Sequence, residues 1–310
     1  MQRKCEKILD SGFTLIELSV FLVVIGLILG GIFVSRGLIN SSTISAQISQ
    51  INKFNSAVQV FRSKYKGLPG DLPDPYATHY GFQSRGINPG EGDGNGVIEG
   101  NCADIADANN GMQQGCGELA VFWQDLSSAG LIDLGVKTGT GYPLISSNTY
   151  PNTTLLSTPH VSGWIPAAKL GNDQYIYVTS FAHTNYFVIQ RVFQLGWNAE
   201  STGVPGAGAN AMTVQQAYTI DSKIDDGLPQ SGNVIACASD YDVNPNYQAW
   251  AAGSGQEGAG TAASACTPTT ARTPYQAYNC YDNNNMGGTE LYSTAKNANT
   301  PNCALSFKFR

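Results

Sequence analysis

The chain has 310 residues, a length that allows about two domains, but only 13% of them are charged and Gly, Asn, Ser and Thr are abundant. Seventeen Lys and Arg against 23 Asp and Glu give a net charge of −6, so the bulk of the chain offers no broad basic face to release counterions from a phosphate backbone. A hydrophobic content of 42% is enough for a core and excludes wholesale disorder.

The first element is apolar. From Phe13 to Phe33 the chain reads FTLIELSVFLVVIGLILGGIF, 21 residues with Glu17 as the single ionisable group. At about 1.5 Å per residue this run can cross a hydrocarbon core about 30 Å thick. Arg3, Lys4 and Lys7 precede it, which predicts residues 1–12 in the cytoplasm and export of the chain beyond the span. A secretory signal would place a small-residue cleavage site after its apolar core. Here Val34, Ser35, Arg36 and Gly37 come next and helical patterning continues, so the segment is expected to be retained. Glu17 lies four residues into the span, where an ionised carboxylate costs up to about 2.5–3.5 kcal/mol. It calls for a partner, unless it snorkels to the headgroups or stays protonated.

The run Gly12-Phe13-Thr14-Leu15-Ile16-Glu17-Leu18 resembles the processing site of type IV prepilins and type II secretion pseudopilins. The resemblance implies cleavage between Gly12 and Phe13 by a prepilin peptidase, N-methylation of Phe13, and pairing of Glu17 with the terminal amine of a neighbouring subunit. A buried carboxylate left unpaired is strongly destabilising, whereas a paired one fixes register. The resemblance is specific over about residues 11–40. One departure is visible: many type IV pilins carry a Pro about twenty residues into the mature helix, and this span has Gly26, Gly30 and Gly31 instead. Closely spaced glycines permit near approach of helices in lipid.

Past the span, Ile44, Ile48, Ile51, Phe54, Val58, Phe61 and Tyr65 recur at steps of three and four, the stripe of an amphipathic helix with one buried face. Lys64 and Lys66, then Gly67 and Pro69, form a stop signal. One helix over about Phe13–Lys66 is therefore predicted, with residues 13–36 as the membrane and assembly half and 37–66 as the amphipathic half. Residues 67–310 form an exported head. The prolines of Gly67–Pro75 make a rigid turn-rich crossing, leading into a loop of about 40 residues. Helices are predicted at Glu118–Ala129, ended by Gly130, and at Val214–Ile224, where Thr213 and Gln216 match a capping box. Gln174–Phe181 and Tyr186–Gln194 read as a hairpin turning at residues 182–185, and Asn233–Ala238 as a further strand. Segments 255–273 and 282–303 read as mobile surface. The predicted class is α+β: a long N-terminal helix on a small antiparallel sheet, with long disulfide-stapled loops, a type IV pilin-like arrangement.

Loss of residues 1–12 removes Cys5 and leaves Cys102, Cys116, Cys237, Cys266, Cys280 and Cys303. An even count in an exported domain points to disulfides, and six cysteines allow 15 pairings. The near-neighbour set Cys102–Cys116, Cys237–Cys266 and Cys280–Cys303 is the expectation. No CxxC spacing or histidine pattern supports zinc.

Glu91, Asp93, Asn95 and Glu99, spaced by Gly92, Gly94 and Gly96, fit much of a calcium loop. Cys102 falls where the closing Glu belongs, so a ligand would be borrowed, Asp104 being the candidate. Asp240, Asp242, Asn244 and Asn246 form a second alternating-oxygen run without the glycine. Asp225 and Asp226 sit at a helix C-terminus, which disfavours them, and pairing with Lys223 is the plain expectation. Tyr175, Tyr177, Phe181, Tyr186, Phe187 and Phe193 alternate as strand core residues do, with a glycan-stacking platform as the competing reading. No GxSxG, HExxH, phosphate loop or GxGxxG before a helix occurs, so an enzyme is not expected.

The sequence thus predicts a structural subunit, a pilin or pseudopilin of either minor or large type. It would wait in the inner membrane with its head in the periplasm. After trimming and methylation, an inner-membrane assembly platform would draw it into a helical filament of like subunits. The competing class is a membrane-anchored binding or hydrolytic domain that does not polymerise. Calcium is the only candidate cofactor.

Overall fold

The computed structural model describes residues 14–86, 90–98, 117–133, 156–157, 163–181, 183–192, 194–195, 212–238, 280–282, 289–299 and 301–309. The chain divides into two compact units, Met1–Ser45 and Ala46–Arg310. One helix, α1 (Leu15–Tyr65, 51 residues), contributes to both.

Over residues 15–34 α1 is apolar on every side apart from Glu17 and Ser19. Its most apolar stretch has a mean hydropathy of 2.7 and none of it is buried, so the helix is long and apolar enough to cross a membrane. Side chains added at Gly26, Gly30 or Gly31 would meet nothing within 4 Å.

In the second unit α1 has two distinct faces. Ile51, Phe54, Ala57, Val58, Phe61 and Tyr65 are buried, and Asn52, Lys53, Ser56, Gln59 and Lys64 lie on the more open side. The stripe read from sequence holds here with one change: Ile48 is only half-buried and the neighbouring Gln47 is buried. Gln47 and Gln50 explain it, because their side-chain oxygens accept the backbone N–H groups of Leu170 at 3.3 Å and Lys169 at 3.1 Å, and Gln50 Nε2 donates to the Ala167 carbonyl at 2.9 Å. The helix stops one residue earlier than expected. Lys66, not Gly67, takes the left-handed conformation (φ 64°), while a Cβ on Gly67 would press on Leu72 Cδ1 at 2.8 Å. At Gly67 the closeness of the Leu72 side chain, not φ, favours a small residue.

The remaining elements are α2 (Tyr76–His79), α3 (Gly117–Ser128), β1 (Leu156–Ser157), β2 (Gln174–Phe181), β3 (Thr184–Arg191), β4 (Gln194–Leu195), β5 (Met212–Thr213), α4 (Val214–Ile224), β6 (Val234–Ala238), β7 (Tyr281–Asp282), β8 (Leu291–Tyr292), α5 (Thr294–Asn297) and β9 (Pro301–Phe309). The main sheet is antiparallel in the order β2-β3-β9-β5, with β6 also paired to β9. The class is therefore α+β. The capping box at Thr213 and Gln216 forms as the sequence predicts, with both reciprocal bonds present.

Sequence reading misplaced three features. The hairpin is tighter than expected: pairing continues to Phe181 and Thr184, and His183 turns the chain with φ 54°. The second strand of that hairpin, β3, ends at Arg191, short of Gln194. Segment 282–303, expected to be mobile surface, holds β8, α5 and the start of β9. That last strand is the centre of the sheet, and its sequence Leu305-Ser-Phe307-Lys-Phe309 alternates with period two. Segment 255–273 lies outside the described residues.

One face of the sheet carries Val178, Phe187, Ile189, Leu305, Phe307 and Phe309. Phe187 stacks on Phe309 with centroids 4.2 Å apart, Phe54 of α1 lies 6.1 Å from Phe187, and Phe122 of α3 lies 5.7 Å from Phe309. Trp123 of α3 meets Phe54 edge-on at 4.9 Å. These rings form the core that joins both helices to the sheet. On the other face Tyr175, Tyr177, Thr179, Tyr186 and Gln190 are also buried, and the Tyr177 hydroxyl donates to Gln190 Oε1 at 2.6 Å. Tyr175, Tyr177, Tyr186 and Phe187 are therefore core residues, and a glycan-stacking platform built on them is excluded by their burial. Phe181 and Phe193 have side chains outside the described set.

Cys280 and Cys303 form a disulfide with Cα atoms 5.2 Å apart, as the near-neighbour pairing predicts. It ties the residue before β7 to β9 across a sequence separation of 23, a loop whose closure contributes roughly 3 kcal/mol. The pairings expected for Cys102, Cys116, Cys237 and Cys266 lie outside the described residues, although the Cys237 backbone is part of β6.

Candidate functional site

Glu17 sits at the start of α1. Its Oε2 accepts the Thr14 backbone N–H at 2.8 Å and the Thr14 hydroxyl at 2.8 Å, while its own N–H donates to Thr14 Oγ1 at 3.3 Å. This is a capping box, with Thr14 as N-cap and Glu17 three positions on. The carboxylate also lies at the positive end of the helix dipole. Glu17 thus has donors within its own chain, a role that the Thr-x-x-Glu spacing signals but that sequence reading missed. The box directs the carboxylate back toward the residue adjoining Phe13. Gly12 and Phe13 themselves lie outside the described residues.

The described candidate ligands of the glycine-rich loop reach different partners. Glu91 is 1% exposed and its carboxylate lies against Gly86, where an added Cβ would fall 1.9 Å from Glu91 Oε2. Asn95 Oδ1 is taken by the Val97 N–H at 2.7 Å. Of the expected ligands among the described residues, only Asp93 joins a carboxylate cluster, and its companions are Asp71 and Glu118, with one oxygen from each within 4.8 Å of the others. Glu99 and Asp104 lie outside the described residues, as do Asp240, Asp242, Asn244 and Asn246.

Asp71 is the organising group. Its Oδ1 accepts the Gly94 and Asn95 N–H groups at 2.8 and 3.1 Å, and its Oδ2 accepts the Gly96 N–H at 2.9 Å. Successive amides of this kind form an anion-binding concavity, filled here by a side chain from the proline-rich crossing. Burial pushes the Asp71 carboxyl up to about 6, with Asp93 adding to the rise against the pull of the three amides. Glu118, in the first turn of α3, accepts the Gly92 N–H at 2.9 Å. Asn185 of β3 accepts the Ile98 N–H at 2.8 Å and donates to the Gly96 carbonyl at 2.9 Å. The loop is thereby fastened to the crossing, to α3 and to the sheet. Three carboxylates offer the all-oxygen chemistry a divalent cation takes, but a cation would compete with backbone amides for Asp71 and Glu118.

Close to the loop lies a buried ion pair. Arg85 Nη2 and Asp125 Oδ2 are 2.5 Å apart, Arg85 Nε donates to the Leu72 carbonyl at 3.0 Å, and the Gly70 N–H donates to Asp125 Oδ2 at 2.7 Å. A Cβ at Gly92 (φ 92°) would strike Arg85 Cγ and Cδ at 2.8 Å, so this glycine is required for both conformation and space. Sequence reading missed Asp71, Arg85, Glu118 and Asp125 as partners. The glycine repeat signals an unusual loop, but the acids that fasten it are 20 or more residues away and share no local period.

A second cluster groups Asp221, Asp225 and Asp226. The expected pairing with Lys223 is not found. Asp225 accepts the Asn233 N–H and, at 3.0 Å, the Val234 N–H. Asp226 accepts the Leu228 N–H at 2.8 Å and the Ser231 hydroxyl at 2.5 Å. Asp221, fully buried, accepts the Tyr292 hydroxyl at 2.8 Å, and burial pushes its carboxyl up to about 6. The Pro229 carbonyl accepts the Ala236 N–H at 2.7 Å and Gln230 Nε2 donates to the Ala236 carbonyl at 2.6 Å. These carboxylates hold a loop that covers the outer edge of β6, a protection exposed strand edges need.

No family model, curated protein or solved structure matches this chain.

Proposed function

We propose that the chain is a structural subunit of a type IV pilus or a type II secretion-like filament, matured by a prepilin peptidase and polymerised through the first half of α1. The observation that carries this reading is a single helix whose first stretch, Leu15 to Ile32, is apolar and uncovered, next to the Gly12-Phe13-Thr14-Leu15-Ile16-Glu17 motif. Such a surface needs lipid before assembly and other subunits afterwards. In this reading the leader faces the cytoplasm, the head faces the periplasm, and an inner-membrane platform extracts the subunit into the pilus or pseudopilus. Glu17 then serves twice, capping its own helix and receiving the methylated amine of Phe13 from the next subunit. The head carries a pilin-like role at the filament surface.

Intact-mass analysis in cells with an active prepilin peptidase tests the proposal. Loss of residues 1–12 with a gain of one methyl group at Phe13 is expected. Retention of Met1–Gly12 would favour a membrane-anchored binding or hydrolytic domain that does not polymerise.

A further inference from the structure

Charge is distributed unevenly along the chain. Residues 18–70 contain Arg36, Lys53, Arg62, Lys64 and Lys66 and no Asp or Glu, whereas residues 71–310 carry 20 Asp and Glu against nine Lys and Arg. In the second unit Lys53, Val60 and Lys64 fall within about 40° of one line along α1 at about 100° per residue, and all three are exposed, Val60 by 50%. Among the described residues neither lysine makes an ion pair; the Lys64 ammonium stands over the Tyr65 ring at 4.8 Å. The two lysines are 11 residues apart, about 16 Å along the axis, with the apolar Val60 between them. Elsewhere on the head, Asp93 projects exposed from the fastened loop, with the buried Asp71 and Glu118 carboxylates close by. Asp93 meets Asn95 and the Gly90 N–H but no Lys or Arg among the described ion pairs. Among the described residues, one surface therefore presents cations without counter-charges, and the other presents an exposed anion.

We infer that the Lys53–Val60–Lys64 strip of one copy docks against the Asp93 loop of a second copy, so that head-to-head pairing adds to the contacts of the apolar helices. The inference rests on the filament reading and specifies a lateral contact within it. Contacts of this heterologous kind propagate rather than close. Complementary charge sets register and partner choice more than raw affinity, and an exposed pair of this kind is screened by salt.

The test is filament yield from full-length chains in cells, with thermal melts of each variant to confirm folding. Lys53→Glu/Lys64→Glu and Asp93→Lys are each expected to lower yield about tenfold, and their combination to restore most of it, as reversed charges pair again. In sheared wild-type filaments, a zero-length carbodiimide cross-link between Lys53 or Lys64 and Asp93 of different copies is expected. Unchanged yield in the single-surface variants, or no recovery in the combination, overturns the docking while wild-type filaments leave the filament reading intact. Absence of wild-type filaments together with an uncut leader overturns both. Assembly lost on chelation but indifferent to the lysine reversals would give the carboxylates to a divalent cation and also overturn it.

Discussion

Along α1, Leu22, Leu27 and Ile28 are 61%, 73% and 56% exposed, whereas Val58 and Phe61 are fully buried. The two stretches belong to one continuous helix, so backbone conformation does not distinguish them. Arrangement of apolar residues does. After residue 45 they occupy one stripe, the opposite side is polar, and the sheet with α3 supplies the core. Over residues 15–34 there is no polar side, and no intrachain surface could bury the whole circumference. Burial can be completed by the chain itself or left to its surroundings, and the pattern around the helix records which.

Paired substitutions are the strongest way to break this distinction. Phe61→Ala is expected to lower the stability of the head by about 3–5 kcal/mol through loss of burial and creation of a cavity, read as a large drop in Tm. Leu22→Ala should leave the head's Tm in place and act only on membrane retention or assembly. Equal losses of Tm would show that both halves of α1 support one core.

A smaller effect sharpens the same contrast, because pH sensitivity belongs to the head. Asp71 and Asp221 have carboxyls raised by burial to about 6 from an ordinary value of 3.8. Between those values the folded head keeps protons that the unfolded chain has released, so these two groups make stability fall as pH rises through the window from about 4 to about 6. Two others work in the opposite sense at lower pH. At Asp74 the upward push of burial is outweighed by hydrogen bonds from the Arg85 N–H and Ser84, and Asp226 is held down by Ser231 and Leu228. Their contribution is present above about 4 and lost below it. Circular-dichroism melts should therefore show a higher Tm at about pH 5 than at about pH 7, and Asp71→Asn/Asp221→Asn should flatten the difference. A wild-type Tm that climbs steadily from pH 5 to pH 7 would contradict this.

Much of the architecture was legible because it is local. The apolar run, the stripe from Ile51 to Tyr65, the α4 capping box and the β2 alternation each declare themselves within a window of a few turns. The candidate loop was legible only as an anomaly. Its glycines announce positive φ, but Asp71, Glu118 and Asn185, which fasten it, come from three separate elements that meet only in the folded head. Glu91 and Asn95 have the residue types of calcium ligands, yet Gly86 leaves space that Glu91 fills and the Val97 N–H takes Asn95. The central strand β9 was missed although Leu305, Phe307 and Phe309 alternate, because the polar, Asn-rich segment before it resembles open loop.

The central claim is that the bare half of α1 is covered by copies of itself. A three-dimensional reconstruction of fibres sheared from cells expressing this chain tests it most directly. The account predicts a core of N-terminal helices beginning at Phe13, with the Glu17 carboxylate within hydrogen-bond distance of a neighbouring chain's terminal amine. Glu17 facing solvent with no amine in reach, or fibres whose axis lacks these helices, would contradict it.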